Sequence, residues 1–333
     1  MQKGLVSIIT PCYNTGNILH RLLDSVLSQD YPNIEMYAIN DGSNDNTEEV
    51  IKDYMPKFQK RGYELHYVYQ ENSGQSAALN NGIKLIKGEY LTWPDSDDYY
   101  RSPDALSIFV EELKKHDVNY GAVRCIPTYI DEKTFDEQII DSIPLVYYNE
   151  YQFENCLYSI NFFWGAGNYM VRMSAFDMVN PSREIYVEKN AGQNWQMLLP
   201  LLYSYKCITI KESLLNVLKR ETSHSRGQFS TYEQQLVKFK SYQNTVLNTL
   251  DNIHSMPDDE REEYKRIIRR NYKIIKFNLA IQHCKSHDIQ RLKQELSSEG
   301  YVISKKKELG IVVRQYHIGR ILLDFIIRVR QWL

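Results

Sequence analysis

The 333-residue sequence predicts an α/β fold, with a Rossmann-like, mostly parallel central sheet flanked by helices and a helical C-terminal extension. Three observations predict it. Short β-branched runs alternate with helical patterns over about the first 95 residues, as parallel βαβ units require. A polar cluster follows each of the first four runs, where parallel sheets gather ligands at strand carboxyl ends. From Tyr232 onward the periodicity is helical and long.

The elements follow in order. Leu5-Val6-Ser7-Ile8-Ile9 is a buried-strand run ended by Thr10-Pro11. Ile18, Leu19, Leu22, Leu23, Val26 and Leu27 recur at three- and four-residue steps, a helical stripe broken at Tyr31-Pro32-Asn33. Ile34 to Ile39 is a second strand, and Asp45 or Asn46 is placed to cap the next helix, with Glu48 and Glu49 at its positive end. Leu65 to Tyr69 is the third strand. The helix after it runs through Ala77, Leu79, Ile83 and Ile86, with Gly88 as its closing glycine. Tyr90 to Trp93 is the fourth strand. Beyond it, Asp104 to His116 reads as helix, Tyr120 to Ile130 as extended, Trp195 to Tyr205 as helix, and Met256-Pro257-Asp258-Asp259 as a connector between helices.

Composition removes several classes. Lys+Arg 40 against Asp+Glu 42 leaves the chain near neutral, so a nucleic-acid partner is not expected. Five scattered cysteines without a C-x-x-C pair indicate buried thiols in a reducing compartment, not a disulfide framework or zinc site. Met1-Gln2-Lys3-Gly4 leads straight into a strand pattern, which leaves a signal peptide unexpected. No stretch reaches the roughly 18 uncharged apolar residues of a membrane span.

The four strand-end clusters are Pro11-Cys12-Tyr13-Asn14, Asp41-Gly42-Ser43-Asn44-Asp45, Asn72-Ser73-Gly74-Gln75 and Asp95-Ser96-Asp97-Asp98. On adjacent parallel strands they converge on one crevice. Tyr13 suits stacking on a base, Asp41 suits accepting a base N–H, and the small residues let backbone amides approach oxygens. Three carboxylates within four residues repel one another unless a cation or donors lie between them. Mg²⁺ or Mn²⁺ takes such hard oxygen ligands and keeps substrate phosphates in its shell, where it neutralises a departing diphosphate. The competing reading is a solvated acidic turn. An oxidoreductase is set aside, because Pro11-Cys12-Tyr13-Asn14-Thr15-Gly16 stands where G-x-G-x-x-G would.

These residues resemble a family 2 glycosyltransferase of GT-A fold. The likeness runs through Val6-Ser7-Ile8-Ile9-Thr10-Pro11-Cys12-Tyr13-Asn14, Ser25-Val26-Leu27-Ser28-Gln29 and Asn40-Asp41-Gly42-Ser43-Asn44-Asp45. It continues through Asn72-Ser73-Gly74, Gly88-Glu89-Tyr90 and Asp95-Ser96-Asp97-Asp98, over about the first 100 residues in order. The resemblance implies an inverting transferase using a UDP- or similarly activated sugar with Mn²⁺ or Mg²⁺. It places Pro11, Tyr13, Asn14 and Asp41 at the nucleoside, with Asn72 and Gly74 in the same donor site. Asp95 falls near ribose and phosphates, and Asp97 at the metal. It further implies a domain over 1–230, with a donor half over 1–100 and an acceptor half over 101–230, before the helical region 231–333. The expected acceptor is a glycan or lipid-linked sugar in cell-surface polysaccharide synthesis.

One departure stands out. Where the family places a Glu-Asp pair, whose Asp is the base, this chain has Gly192-Gln193-Asn194-Trp195-Gln196. An amide takes no proton at neutral pH. Either Glu188 does that work, or Gln193 and Asn194 orient the acceptor; a pair of helix caps is the bland alternative. A catalytically silent relative that binds the donor is the competing function. Phe162-Phe163-Trp164 suits a sugar-stacking loop or core, with core favoured. His224 stands where some relatives place a metal- or phosphate-contacting histidine, with Arg226 suited to a diphosphate. Residues 310–333 interleave apolar side chains with Arg314, Arg320, Arg328 and Arg330. Such a helix either lies on an anionic membrane surface or packs on the protein itself. The expected location is cytoplasmic, with that tail as a peripheral contact to the inner face of the cell membrane.

Overall fold

The computed structural model describes residues 1–140, 142–220 and 229–303. The chain divides into two units, Met1–Ser223 with Asn244–Asp258, and His224–Gln243 with Asp259–Leu333.

In the first unit, β1 (Gln2–Cys12), β2 (Ile34–Asp41), β3 (Glu64–Gln70) and β4 (Gly88–Thr92) are mutually parallel, in the order β4-β1-β2-β3. β1 and β2 are buried along nearly their whole length, as expected of strands covered on both faces. The covering helices are α1 (His20–Leu27), α2 (Thr47–Arg61) and α3 (Gln75–Ile83), and α1 buries Leu22, Leu23 and Val26 as its stripe predicts. Gly62, at φ +85°, closes α2. Asn46 holds the N-cap position of α2 without a side-chain bond, while Asp45 accepts from the Thr47 amide at 3.1 Å.

Gly88 departs from expectation. The third helix ends at Ile83, and Gly88 opens β4. Its N–H donates to the Ser7 hydroxyl at 2.9 Å, and a Cβ there would lie 2.8 Å from the Leu5 carbonyl. Strand contact, not helix termination, requires the glycine.

Next come β5 (Tyr99–Tyr100), α4 (Ala105–Lys115), β6 (Tyr120–Arg124), β7 (Pro127–Asp131) and β8 (Glu137–Gln138). The extended run predicted over Tyr120 to Ile130 is therefore two strands. They are followed by α5 (Phe153–Tyr158), β9 (Tyr169–Arg172), α6 (Met173–Val179), α7 (Asn194–Ser204), β10 (Lys206–Thr209) and β11 (Leu215–Lys219). The main sheet has the order β10-β6-β9-β4-β1-β2-β3, in which β9 runs antiparallel to both its neighbours. A second sheet, β5-β11-β7-β8, flanks the end of β4. The chain goes from β1 outward to β2 and β3, then returns to β4 on the other side of β1. That reversal opens the ligand crevice of such sheets beyond the ends of β1 and β4.

In the second unit, α9 (Asp258–Gln282), α10 (Ser286–Ser298) and the first part of α8 (Tyr232–Asp251) enclose Tyr232, Phe277, Ala280, Ile289, Leu292 and Leu296. The Tyr232 hydroxyl donates to Asp288 at 2.8 Å. Among the described residues no helix is long and apolar enough to cross a membrane. The basic stretch 310–333 and His224 lie outside the described residues. Cys12, Cys125, Cys156 and Cys207 are buried and Cys284 is partly exposed, without disulfides.

Candidate functional site

The loops after β1 and β2 are bolted together by short polar side chains. Asn14, at φ +52°, donates its amide to the Ser43 hydroxyl at 3.0 Å, and its side-chain oxygen accepts from the Asn44 amide at 2.8 Å. The Gly16 amide reaches Asp45 at 3.0 Å. Pro11 pairs with Ile39 inside the sheet, which leaves Tyr13, 49 % exposed, as the ring presented at the rim.

Asp41, only 3 % exposed, gathers the loop after β3. Its Oδ1 accepts from Gln70 Nε2 at 2.7 Å and the Ser73 amide at 2.8 Å, and its Oδ2 from the Gly74 amide at 2.9 Å. Asn72 Nδ2 donates to the Asp41 carbonyl at 3.1 Å. Gly42, at φ +72°, lets this happen, since a Cβ would stand 2.8 Å from the Asn72 amide. Gly74, at φ +92°, also lies close to backbone, and a Cβ there would stand 3.1 Å from the Lys189 carbonyl.

Beyond β4 the acidic turn is not a solvated one. Asp98 is 3 % exposed and accepts from the Leu218 amide at 3.1 Å. Asp95 Oδ1 accepts from Gln75 Nε2 and Gln193 Nε2, each at 3.2 Å. Asp97 pairs with Arg220 at 3.3 Å, and the same guanidinium lies 3.4 Å from Glu132. Burial and then the Asp97 charge push the Asp95 carboxyl up to about 7. Burial raises Asp97 as well, against the pull of Arg220, and raises Asp98 well above the ordinary carboxylate range. Arg220 thus pairs with one of the three crowded carboxylates and is itself shared with Glu132. Hard oxygen donors held this way fit a divalent cation, which Asp97 and Asp95 would hold.

The raised Asp95 carboxyl has a testable consequence. The folded chain holds a proton that the unfolded chain, near 3.8, releases. Stability is therefore lost as pH rises from 3.8 to about 7, and no further above it. Thermal melts in divalent-free buffer are expected to show this decline in the wild type and less of it in Asp95→Asn, which keeps both amide bonds. Parallel pH profiles of the two proteins would refute it.

The segment opposite carries Glu188, Gln193 and Asn194. The Glu188 amide donates to the Ser76 hydroxyl at 3.0 Å, and that hydroxyl donates to the Glu188 carbonyl at 3.2 Å. The first turns of α3 and this loop are thus laced together. Gln193, 2 % exposed, holds the N-cap position of α7 but sends its side chain to Asp95. Asn194 accepts from Trp93 Nε1 at 3.3 Å and donates to the Trp164 carbonyl at 2.6 Å. Neither amide caps the helix, which overturns the capping alternative: both are drawn to partners some 30 to 100 residues away.

Phe162 and Phe163 are core, stacked on Tyr169 and Tyr147 respectively. Both rings also flank the fully buried Arg124 guanidinium. Trp164 is half-buried and meets Trp195 edge-on at 4.9 Å. Gly167 packs against Pro94, where a Cβ would stand 2.8 Å from the Pro94 Cβ, so this loop supports the turn before Asp95.

The fold thus brings Asp95 to Gln193, Asp41 to Asn72 and Gly74, Asn14 to the loop after β2, and Gly74 to the neighbour of Glu188. Arg220 and Glu132 were not singled out by sequence, and Gln75 entered only as the last member of the third cluster. Lys219-Arg220 directly after a strand pattern was the available signal for the first. A further grouping, Glu35, Glu64 and His66, lies at the other end of the sheet. There Glu35 accepts from Ser7, Lys87 and Gly88, away from the crevice.

Comparison with known proteins agrees with this geometry. The family profile described as glycosyl transferase family 2 matches residues 7–179. An uncharacterized glycosyltransferase of Rickettsia typhi is 42% identical over 130 residues, 39% of this chain and 38% of that protein. Glycosyltransferase GlyA of Streptococcus pneumoniae is 38% identical over 124 residues, 37% of this chain and 16% of its own length. The matched region is thus well under half of these curated relatives. Among solved structures, residues 1–349 of Staphylococcus aureus TarS in complex with UDP-GlcNAc superpose with TM-score 0.57 at 14% identity, covering 84% of this chain and 75% of that one. The mannosyltransferase PcManGT of Pyrobaculum calidifontis, in complex with GDP-Man and Mn²⁺, gives 0.54 at 14% identity, covering 95% and 82%. At such identity these two establish the fold.

Proposed function

The chain belongs to glycosyl transferase family 2, and from that premise we propose that it transfers a sugar from a UDP-sugar to a glycan or lipid-linked acceptor. The transfer inverts the anomeric centre and serves cell-surface polysaccharide assembly. The observation that carries the reading is the acidic turn: Asp95 and Asp97 lie at the end of β4, and Asp95 is held by one amide from the donor-side loop and one from the acceptor-side segment. A Mn²⁺ or Mg²⁺ ion on Asp97 and Asp95 would neutralise charge on the departing diphosphate. Tyr13 stacks on the base, Asp41 accepts a base N–H, and Asn72 and Gly74 shape the floor beneath the nucleoside. Glu188 accepts the proton of the attacking hydroxyl, while Gln193 and Asn194 hold the turn and the acceptor wall in place.

Lone pairs support the choice of uracil. A carboxylate offers about four acceptor positions, and three of those on Asp41 are taken, two of them on Oδ1. Uracil brings one ring N–H to the position left on Oδ2. Guanine's adjacent N1–H and N2–H₂ need an acceptor on each oxygen, and one would go unpaired.

Isothermal titration with UDP and GDP, each with Mn²⁺ or with EDTA, tests this. Tighter binding of UDP, dependent on Mn²⁺, is expected. Preference for GDP would overturn the base assignment, and no binding of either nucleotide would overturn the whole reading. A second reading, a donor-binding relative without transfer, draws on Asn194, whose amide is engaged by Trp93 and Trp164 where the family keeps a base.

A further inference from the structure

Behind α7, within the first unit, lies a cavity of about 330 Å³ that no part of the proposed mechanism uses. That volume sits at the small end of the roughly 300–1,000 Å³ typical of small-molecule sites. Its walls come from the segment after α6, from α7 itself and from the turn after α8. Gln196 is the telling residue. It is 3 % exposed, and its Nε2 donates to the Gly192 carbonyl at 3.0 Å and the Tyr186 carbonyl at 3.3 Å. With the amide nitrogen pinned in this way, its Oε1 is left as a buried acceptor without a partner, in a residue of the cavity wall. A buried acceptor left unmet is costly, so the site calls for an O–H or N–H donor.

The rest of the lining narrows the chemistry. Asn180, Ser182 and Asn252 add amide and hydroxyl groups, while Tyr186 and Pro200 add apolar faces. A pyranose ring presents the matching combination, hydroxyls at its edge and C–H faces above and below. The lining holds one carboxylate, Glu184, already paired with Lys84 at 2.6 Å, and neither lysine nor arginine. A phosphate or other anion therefore finds no permanent counter-charge there, only the His254 imidazole.

We infer that this cavity is a second carbohydrate subsite, which takes one uncharged sugar ring of the acceptor glycan, remote from the bond being made. The inference rests on the glycosyltransferase reading and deepens it. The segment that forms one wall, with Ile185 and Tyr186, runs directly into Glu188, and Gln196 ties the cavity to the Gly192 carbonyl beside Gln193. A sugar seated there would brace the acceptor-side segment from behind and favour longer acceptors over monosaccharides.

Saturation-transfer difference NMR tests it, with glucose, galactose, mannose and N-acetylglucosamine and their β-1,4-linked disaccharides as probes, in saturating UDP. UDP binding is read in the same samples, so a failure of the donor reading is seen separately. The wild type is expected to give saturable signals with at least one probe. Asn252→Trp, an exposed position whose larger side chain fills the mouth, is expected to weaken that binding about tenfold or more. Gln196→Met, which removes the acceptor, is expected to weaken it similarly where the variant folds. UDP binding should be unchanged in Asn252→Trp. No saccharide signal in the wild type, or equal affinity in wild type and Asn252→Trp, overturns the subsite.

Discussion

Asp97→Ala is expected to abolish Mn²⁺-dependent release of UDP from a UDP-sugar, lowering turnover by at least about a thousandfold. The size follows from position. Asp97 is the member of the acidic turn that already draws a cation, the Arg220 guanidinium at 3.3 Å. A divalent ion at this carboxylate would act on charge that exists only as the sugar–phosphate bond breaks, so its loss falls on the chemical step. Steady-state kinetics over a Mn²⁺ titration, with UDP affinity measured alongside, check it. If Asp97→Ala retained metal-dependent turnover within tenfold of the wild type, the cation would have to be held elsewhere.

Glu188→Gln is expected to lower kcat by about 10²–10⁴-fold, the usual worth of a general base, while leaving UDP affinity where it was. The substitution conserves shape, and Glu188 is anchored to Ser76 through its backbone, not its carboxylate. The loop should therefore keep its place when the charge is lost. Turnover equal to the wild type would remove Glu188 from the mechanism. A wild-type enzyme that binds UDP-sugar yet transfers to no acceptor in a broad panel would instead favour the donor-binding relative.

The edge of the site built on β1 to β4 was legible in the sequence for a physical reason. Strands buried on both faces must be continuous apolar runs, and the polar residues that end each run then fall on one edge of the sheet. Val6 to Ile9, Ile34 to Ile39 and the clusters after them needed no long-range information. The segment from Glu188 to Asn194 depends on contacts that sequence spacing does not encode. Gln193 resembles a helix cap from its neighbours alone, because Asp95, its actual partner, is 98 positions away. The run from Tyr120 to Ile130 has one continuous β pattern, yet it breaks at Cys125-Ile126 as the chain leaves the main sheet for the smaller one. Gly88 obeyed the local rule for a helix end while answering a tertiary demand from Ser7 and Glu35. Arg220 is ordinary in its own segment and becomes informative only when β11 is laid beside the acidic turn.

The burial of four cysteines decides how this protein meets alkylating reagents. Removal from water pushes the Cys12 and Cys125 thiols up to about 12 and Cys207 up to about 11, and raises Cys156 well above the ordinary thiol range. Because the thiolate is the reacting species, a maleimide at neutral pH finds almost none at those four positions. Cys284, partly exposed between α9 and α10, takes the label first. A fluorophore or spin probe can then be installed on the helical unit of the unmodified sequence, leaving Cys12 at the end of β1 untouched.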